Sequence, residues 1–334
     1  MKRPRTGVLF LFLLGIVATS NLAAAPLVLK IGSVAPEASP WGEALTRVAL
    51  AWKQISGGQV ELKIYHGGIA GGESDTIRKM RLGQLQGGVL TSFGLNEISP
   101  EFLSLSMPFV IHNDDELDYV LEKASDTLKA KIAAQKFHVA AFSKVGWIRF
   151  FSKKPLRVPA DLKTLKLAAN PGNQALFDTW QSMGYNQVPV EIPNTLTALN
   201  SGRIEALYAS PIAVGGFQWF GLAKYMMSLR MAPFLGGVIL TQAAWDKIPE
   251  SLRPQLEDAA KPILVQMDKD IKKMEVDAIA TMKTYGMVQI DVTPAEESLW
   301  KAEMDAGLSK MIGKSFSKEI YDLMLASLAE FRKK

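Results

Sequence analysis

Residues 146–211 constrain the fold more than any other stretch: GWIRFFSKKPLRVPADLKTLKLAANPGNQALFDTWQSMGYNQVPVEIPNTLTALNSGRIEALYASP. Trp147–Phe151 is rich in β-formers, a Pro-flanked turn follows, and Lys166–Ala169 is a short apolar run. Asn173–Met183 has helical spacing and stops at Gly184; Pro193–Leu199 is a short helix with Gly202 after it; Ile204–Ala209 has a buried-strand pattern. Such alternation predicts βα units on a largely parallel sheet. Ligands of these sheets sit beyond the carboxyl ends of the strands, where the loops gather. Ile148, Ala168, Asn170, Pro171, Tyr208, Ala209 and Ser210 are therefore candidate binding positions on pattern alone.

The 334 residues suffice for two domains with real cores. Residues 1–25 read as a secretory signal peptide rather than part of the fold. Lys2, Arg3 and Arg5 form a basic start, Gly7–Ala18 an apolar run, and Ala23, Ala24 and Ala25 a small-residue cleavage region. The run is shorter than the ~20 residues of a membrane span. Losing those three basic residues lowers the formal charge from +5 to +2, so the basic pI does not argue for a nucleic-acid partner. No Arg/Lys cluster with interleaved aromatics appears either. With no cysteine, the chain has no lipid-anchor site, disulfide, thiolate metal site or cysteine nucleophile. A free periplasmic protein fits.

Along the chain, Leu27–Ser33 is a first strand, and Ser39-Pro40 opens a helix through Ala44, Val48 and Trp52 that stops at Gly57-Gly58. Val60–Tyr65 is a strand; a glycine-rich loop, His66–Ser74, leads to a helix at Asp75–Leu82; Gly87–Ser92 is a third strand. Asp114–Gln135 reads as one or two helices and Phe137–Phe142 as another strand. After Pro211, Val214–Tyr225 reads as an aromatic helix, and Met227–Ala232 and Val238–Thr241 as strands. The longest helical pattern runs from Leu252 to about Tyr285, with Ile263, Met267, Ile271, Met274 and Ile279 at helical spacing. At ~1.5 Å per residue it is ~50 Å long, wider than one domain. Val288–Val292 and helices at Pro294–Ile312 and Ser317–Phe331 close the chain.

Motifs across most of the chain resemble the solute-binding proteins of TRAP (tripartite ATP-independent periplasmic) transporters, the DctP family. The residues carrying this are Ser39-Pro40-Trp41, Gly57-Gly58-Gln59-Val60, Gly71-Gly72-Glu73, Arg81-Leu82-Gly83, Met107-Pro108-Phe109, Gly146, Lys154-Pro155-Leu156, Asp161 to Lys166, and Val188-Pro189 after Gly184. The resemblance implies an α/β, two-domain periplasmic solute-binding-protein fold with a long helix spanning both domains. Domain I would take residues 26–145 plus about 232–265, and domain II residues 146–231 plus about 266–334. It also implies a ligand in the cleft between them and a pair of TRAP membrane permease subunits as partners. Glu73 would sit at the rim of the cleft, with Thr91, Ile192 and Phe234 on its walls.

The chemistry departs from the family pattern. The strand arginine that clamps a substrate carboxylate falls on Ala168, and an earlier arginine falls on Ile148. Arg149 lies one place later, on the opposite face of a strand. The asparagine near the end of the last motif falls on Ala209. Without a guanidinium, holding a carboxylate away from water costs several kcal/mol, on the order of a thousandfold in affinity. The expected ligand is therefore hydrophobic or weakly polar. Arg149, Lys153, Lys154, Arg157 and Arg203 are the alternatives for a displaced clamp.

Other chemistry finds little support. The loop Gly67 to Ser74 nearly matches a phosphate-binding loop, but Glu73 stands where the lysine belongs and would repel phosphate. His66, His112 and His138 share no metal-ligand spacing. No nucleophile elbow or dinucleotide motif occurs, so neither enzyme activity nor a cofactor is expected. Trp41, Trp52 and Trp300 fall at helical positions and read as core; Trp147, Trp180 and Trp219 are open between core and cleft. Two competing functions remain: a secreted ligand-binding protein serving a signalling or periplasmic helical-repeat partner, and a periplasmic enzyme on this scaffold, with Ser210 or Tyr208 beside a base.

Overall fold

The computed structural model describes residues 25–172 and 174–334. The signal-peptide reading thus falls, but for Ala25, outside the described residues, as does Asn173. Ten strands are formed among the described residues: β1 (Leu27–Ser33), β2 (Val60–Tyr65), β3 (Gly87–Thr91), β4 (Phe137–Ser152), β5 (Lys166–Ala169), β6 (Asn186–Pro189), β7 (Ala206–Ala209), β8 (Tyr225–Met227), β9 (Ala232–Thr241) and β10 (Val288–Ile290). Their order is β2-β1-β3-β9-β4-β7-β5-β6, with β8 on β4 and β10 on β8. Helices cover the sheet, so the chain is α/β as expected. At each end the strands are parallel: β1 with β2 and β3, and β5 with β6 and β7. The centre is not, because β4 and β9 run antiparallel to each other and to their neighbours.

These two strands carry the chain from one lobe to the other. The sequence reads β4 as two strands, Phe137–Phe142 and Trp147–Phe151. The structure makes one strand of 16 residues, with register shifts between Val139 and Ala141 and between Lys144 and Gly146. A bulge absorbs the extra residue and re-aims the strand. Gly146 sits at the second shift with φ of +105°, which a side chain would strain. The strand expected at Met227–Ala232 does not form: β8 ends at Met227 and β9 begins at Ala232, running without a break through the expected Val238–Thr241.

The aromatic helix expected at Val214–Tyr225 does not form. A helix at Pro211–Gly216 ends at Gly215-Gly216, Gln218 turns left-handed at φ 57°, and a short 3-10 turn at Trp219–Gly221 leads into β8. Asp114–Ala134 is one helix. The C-terminal helix Lys318–Phe331, expected in domain II, packs instead on Asp114–Ala134 in the first lobe. Its Met324 and Leu328 join Leu117, Val120 and Leu128 in one apolar cluster, and Arg332 pairs with Glu116 at 2.8 Å.

The long helix is Arg253–Thr284, 32 residues, with Pro262 inside it. Its first half buries Leu256, Ala260, Leu264 and Met267 against Trp52 and Trp245 of the first lobe. Its last turns bury Met282 against Val214 and Trp219 of the second. Between them lies Glu275, 3% exposed, which accepts from the Arg149 guanidinium at 3.1 Å and lies 3.5 Å from that of Arg230. Arg149, itself 8% exposed, also donates to the Ser228 carbonyl. Arg230 lies over the Trp147 ring, 5.8 Å from its centroid.

Removing one member of such a group strands a buried charge. Glu275→Ala is expected to lower the unfolding free energy by about 3–5 kcal/mol in urea titration, whereas Arg149→Met combined with Glu275→Leu should recover most of that loss. Equal destabilisation by the single and double variants would contradict the pairing.

Candidate functional site

Between the lobes lies a cavity with about 910 Å³ of empty space, including the part open to solvent. Three strand ends frame it. Val89, Leu90 and Thr91 come from β3, Ala168 and Ala169 from β5, and Leu207, Tyr208 and Ala209 from β7, all at or near carboxyl ends. The crossing strands add Ser143, Val145, Phe234 and Gly236. Asn170 and Ile192 complete the second-lobe wall. Among the described residues, no lysine, arginine, histidine, aspartate or glutamate lines it. Its polar side chains are hydroxyls and one amide; among them the Asn170 Nδ2 is buried without a partner. Burial holds the Tyr208 phenol well above its ordinary pKa, so it is neutral at any physiological pH.

Of the twelve sequence-predicted positions, Thr91, Ala168, Asn170, Ile192, Tyr208, Ala209 and Phe234 come together on this wall. Ile148 faces a second cavity behind it, with Phe150. Trp147 is core: it is 3% exposed, and its ring N–H donates to Asp114 Oδ1 at 3.0 Å. Ser210 is fully buried, and its hydroxyl caps the next helix by accepting from the Ala213 N–H at 3.3 Å. No histidine, aspartate or glutamate lines the cavity beside Tyr208 among the described residues. Pro171 supplies a contact between the lobes rather than the wall.

Glu73 is not at a rim. It is 1% exposed, beneath β3, where its carboxylate accepts from the Thr91 N–H at 3.0 Å, the Thr91 hydroxyl at 3.1 Å and the Gly94 N–H at 2.6 Å. It starts the helix Glu73–Arg81 and at the same time ties down the strand end that presents Thr91. Position in a glycine-rich loop suggested exposure; three inward donors explain the burial.

Trp41 was expected in the core but lines the cavity, half-buried, with its ring N–H donating to the Lys144 carbonyl at 3.4 Å. Trp219 also lines it and Trp180 lines the second cavity, while Trp52 and Trp300 are core as read. Sequence reading missed Phe93, Val145 and Phe217. For Phe93 a signal existed: Thr91, at the carboxyl end of β3, caps the helix Ser92–Ile98 by accepting from the Phe93 N–H.

The rival clamps are occupied elsewhere. Arg149 serves Glu275, Lys153 bonds the Leu199 carbonyl, Arg157 that of Asp291 and Arg203 that of Pro189. None of these, nor Lys154, lines the cavity. The three histidines are separate: His138 stacks on Trp245 and bonds Glu257, and His112 lies beside Arg332. No cluster of His, Cys, Asp or Glu fit to hold a metal occurs among the described residues.

At the mouth, the rims of the lobes touch. Ser74 Oγ donates to Glu97 at 2.6 Å and lies 3.3 Å from the Pro171 carbonyl. A Cβ added at Gly72 would collide with the Glu191 carboxylate, and one at Gly172 with Glu97. These glycines let the two walls meet, and the cleft is closed.

The family model for bacterial extracellular solute-binding protein family 7, DctP, matches residues 31–315. The chain belongs to that family and is a solute-binding protein of the TRAP type. It is 24% identical over 283 residues to the 2,3-diketo-L-gulonate-binding periplasmic protein YiaO of Escherichia coli, covering 83% of this chain and 85% of that one. To the C4-dicarboxylate-binding periplasmic protein DctP of Rhodobacter capsulatus it is 21% identical, covering 83% and 84%. A TRAP solute-binding protein of Xanthobacter autotrophicus with bound β-D-galacturonate superposes with a TM-score of 0.82 at 20% identity, covering 90% of this chain and 99% of that one. One from Sulfurospirillum deleyianum with bound succinate gives 0.82 at 18% identity, covering 90% and 98%. Among the described residues no helix is long and apolar enough to cross a membrane.

Burial pushes the Glu73 carboxyl up from 4.5 to about 7, against the pull of its bonds from Thr91 and Gly94 and with a push from Glu191. A raised carboxyl means the folded state holds its proton longer than the unfolded chain does. The stabilisation is therefore complete below 4.5 and is lost as pH rises through 7. From the two pKa values in that shift, the loss is about 3 kcal/mol. The melting temperature of the wild type is expected to fall across that window relative to Glu73→Gln. Parallel pH profiles of the two proteins would remove Glu73 as the cause.

Proposed function

We propose that the chain is the extracytoplasmic receptor of a TRAP-type secondary transporter, binding a hydrophobic or weakly polar small molecule in the cleft and delivering it to membrane permease subunits. It would work in the periplasm, after removal of the signal peptide. The observation that carries the ligand class is the lining: a cavity of about 910 Å³ with no ionised side chain. The acids named for the relatives each bring a carboxylate. Here a carboxylate would meet Ala168, Ala209 and Tyr208, with the nearest strand arginine already bonded to Glu275. Desolvating it unpaired costs several kcal/mol. An apolar solute gains instead: hiding ~300 Å² of hydrocarbon is worth roughly 7 kcal/mol before association costs.

The mechanism follows from the crossings. Strands β4 and β9 and the long helix join the lobes, so opening requires bending at those three places and parting Ser74 from Pro171. A ligand that touches both walls binds the closed form better and shifts the population toward it. In this reading the lobes are residues 26–145 with about 232–265, and 146–231 with about 266 onward, the final helix riding on the first.

Calorimetric titration tests the ligand class. Succinate and galacturonate are expected to give no binding at millimolar concentration, while an uncharged apolar probe such as 1-hexanol binds. Ala168→Arg should weaken the alcohol by about tenfold or more, as a charge is placed in an apolar wall. Micromolar binding of either acid to the wild type would overturn the proposal.

A further inference from the structure

A second cavity lies behind the first, with about 750 Å³ of empty space, including the part open to solvent. It too has no ionised residue on its lining, and five methionines face it: Met107, Met183, Met231, Met304 and Met311. Phe93, Tyr208 and Phe234 line both cavities, so the two are separated by a partition of three rings. Phe93 stands edge-on to Tyr208 at 5.6 Å and tilted to Phe234 at 5.1 Å. Tyr208 is stacked over Trp180 at 6.3 Å on the far side, and no hydrogen bond to its hydroxyl anchors the ring among the described residues.

Two features set this space apart from a packing fault. Interiors are ordinarily packed to crystal density, and void beside Met side chains is easily closed, since their unbranched chains adapt to irregular gaps. Here five of them leave it open. Second, two residues of its wall carry buried polar atoms without partners. Asn96 is 4% exposed with its Oδ1 unpaired, and the Ser106 Oγ is likewise buried and unpaired. Both residues are on the cavity wall. Buried amides and hydroxyls are rarely left unsatisfied. An apolar chamber with an acceptor and a hydroxyl on its wall suits a hydrocarbon segment carrying one uncharged hydrogen-bonding group.

We propose that this chamber is a distal subsite of the same binding site, which takes the far end of an elongated, uncharged, largely hydrocarbon solute bearing a terminal hydroxyl. Phe93, Tyr208 and Phe234 turn aside to join the two spaces, and Asn96 and Ser106 receive the hydroxyl. This rests on the reading that the cleft binds uncharged apolar molecules, and it adds length and end-group selectivity to it.

Titration with 1-hexanol, 1-decanol and 1,10-decanediol tests it. The wild type is expected to bind the two ten-carbon alcohols about tenfold or more tightly than 1-hexanol, and the diol about threefold or more tightly than 1-decanol. Met304→Trp, which fills the chamber, should abolish the length preference while leaving 1-hexanol unchanged. Ser106→Ala, too mild to endanger folding, should erase the advantage of the diol over 1-decanol and leave the length preference intact. If 1-hexanol binds as well as the longer alcohols, the subsite is refuted while the cleft reading stands. If the length preference survives Met304→Trp in a protein with wild-type melting behaviour, the chamber is not where the chain goes. If no alcohol binds, both readings fall.

Discussion

The buried pairing of Arg149 with Glu275 is the constraint from which the rest follows. It joins β4 to the long helix at the middle of the molecule, between the apolar clusters of the two lobes. A guanidinium and a carboxylate this far from water are tolerated only together, and the Ser228 carbonyl and Arg230 complete the group. With Arg149 held there, strand alternation turns its neighbours Ile148 and Phe150 the other way, into the second cavity. One register position thus anchors the helix and keeps a positive charge away from the ligand.

The cleft shows the consequence. It sits where an open α/β sheet places ligands, at strand ends, yet its walls are alanine, valine, leucine and aromatic rings with a few hydroxyls. Glu73 is turned into the body of the lobe to fix Thr91 and Gly94. What such a space offers is its shape and a few hydrogen-bonding atoms, with no ionised side chain on its lining among the described residues. The touching rims at Ser74 and Pro171 narrow the mouth of this space.

Much of the fold was legible. The strands after Gly146, the length of the helix now bounded by Arg253 and Thr284, and the cavity positions Ala168, Asn170, Tyr208 and Ala209 follow from periodicity, turn residues and the position of strand ends, while Thr91, Ile192 and Phe234 came from the family resemblance. The errors have local causes. Gly146 reads as a break because a bulge and a turn use the same residue. Val214–Tyr225 reads as helix because aromatic spacing hides the effect of Gly215-Gly216 and the left-handed Gln218. Trp41 follows a capped helix start and looks like core, but the helix points that first turn at the cleft.

By itself the sequence determined the class of fold and the DctP family, since these depend on residue type and local order. Only the tertiary structure decided which residues share a wall. It put Phe93 beside Tyr208, sent Arg149 to Glu275, sank Glu73 and carried the last helix back onto the first lobe. Those outcomes depend on partners between about twenty and more than two hundred residues away, and a side chain settles where its hydrogen bonds and apolar surface are jointly satisfied, which no single stretch of chain specifies.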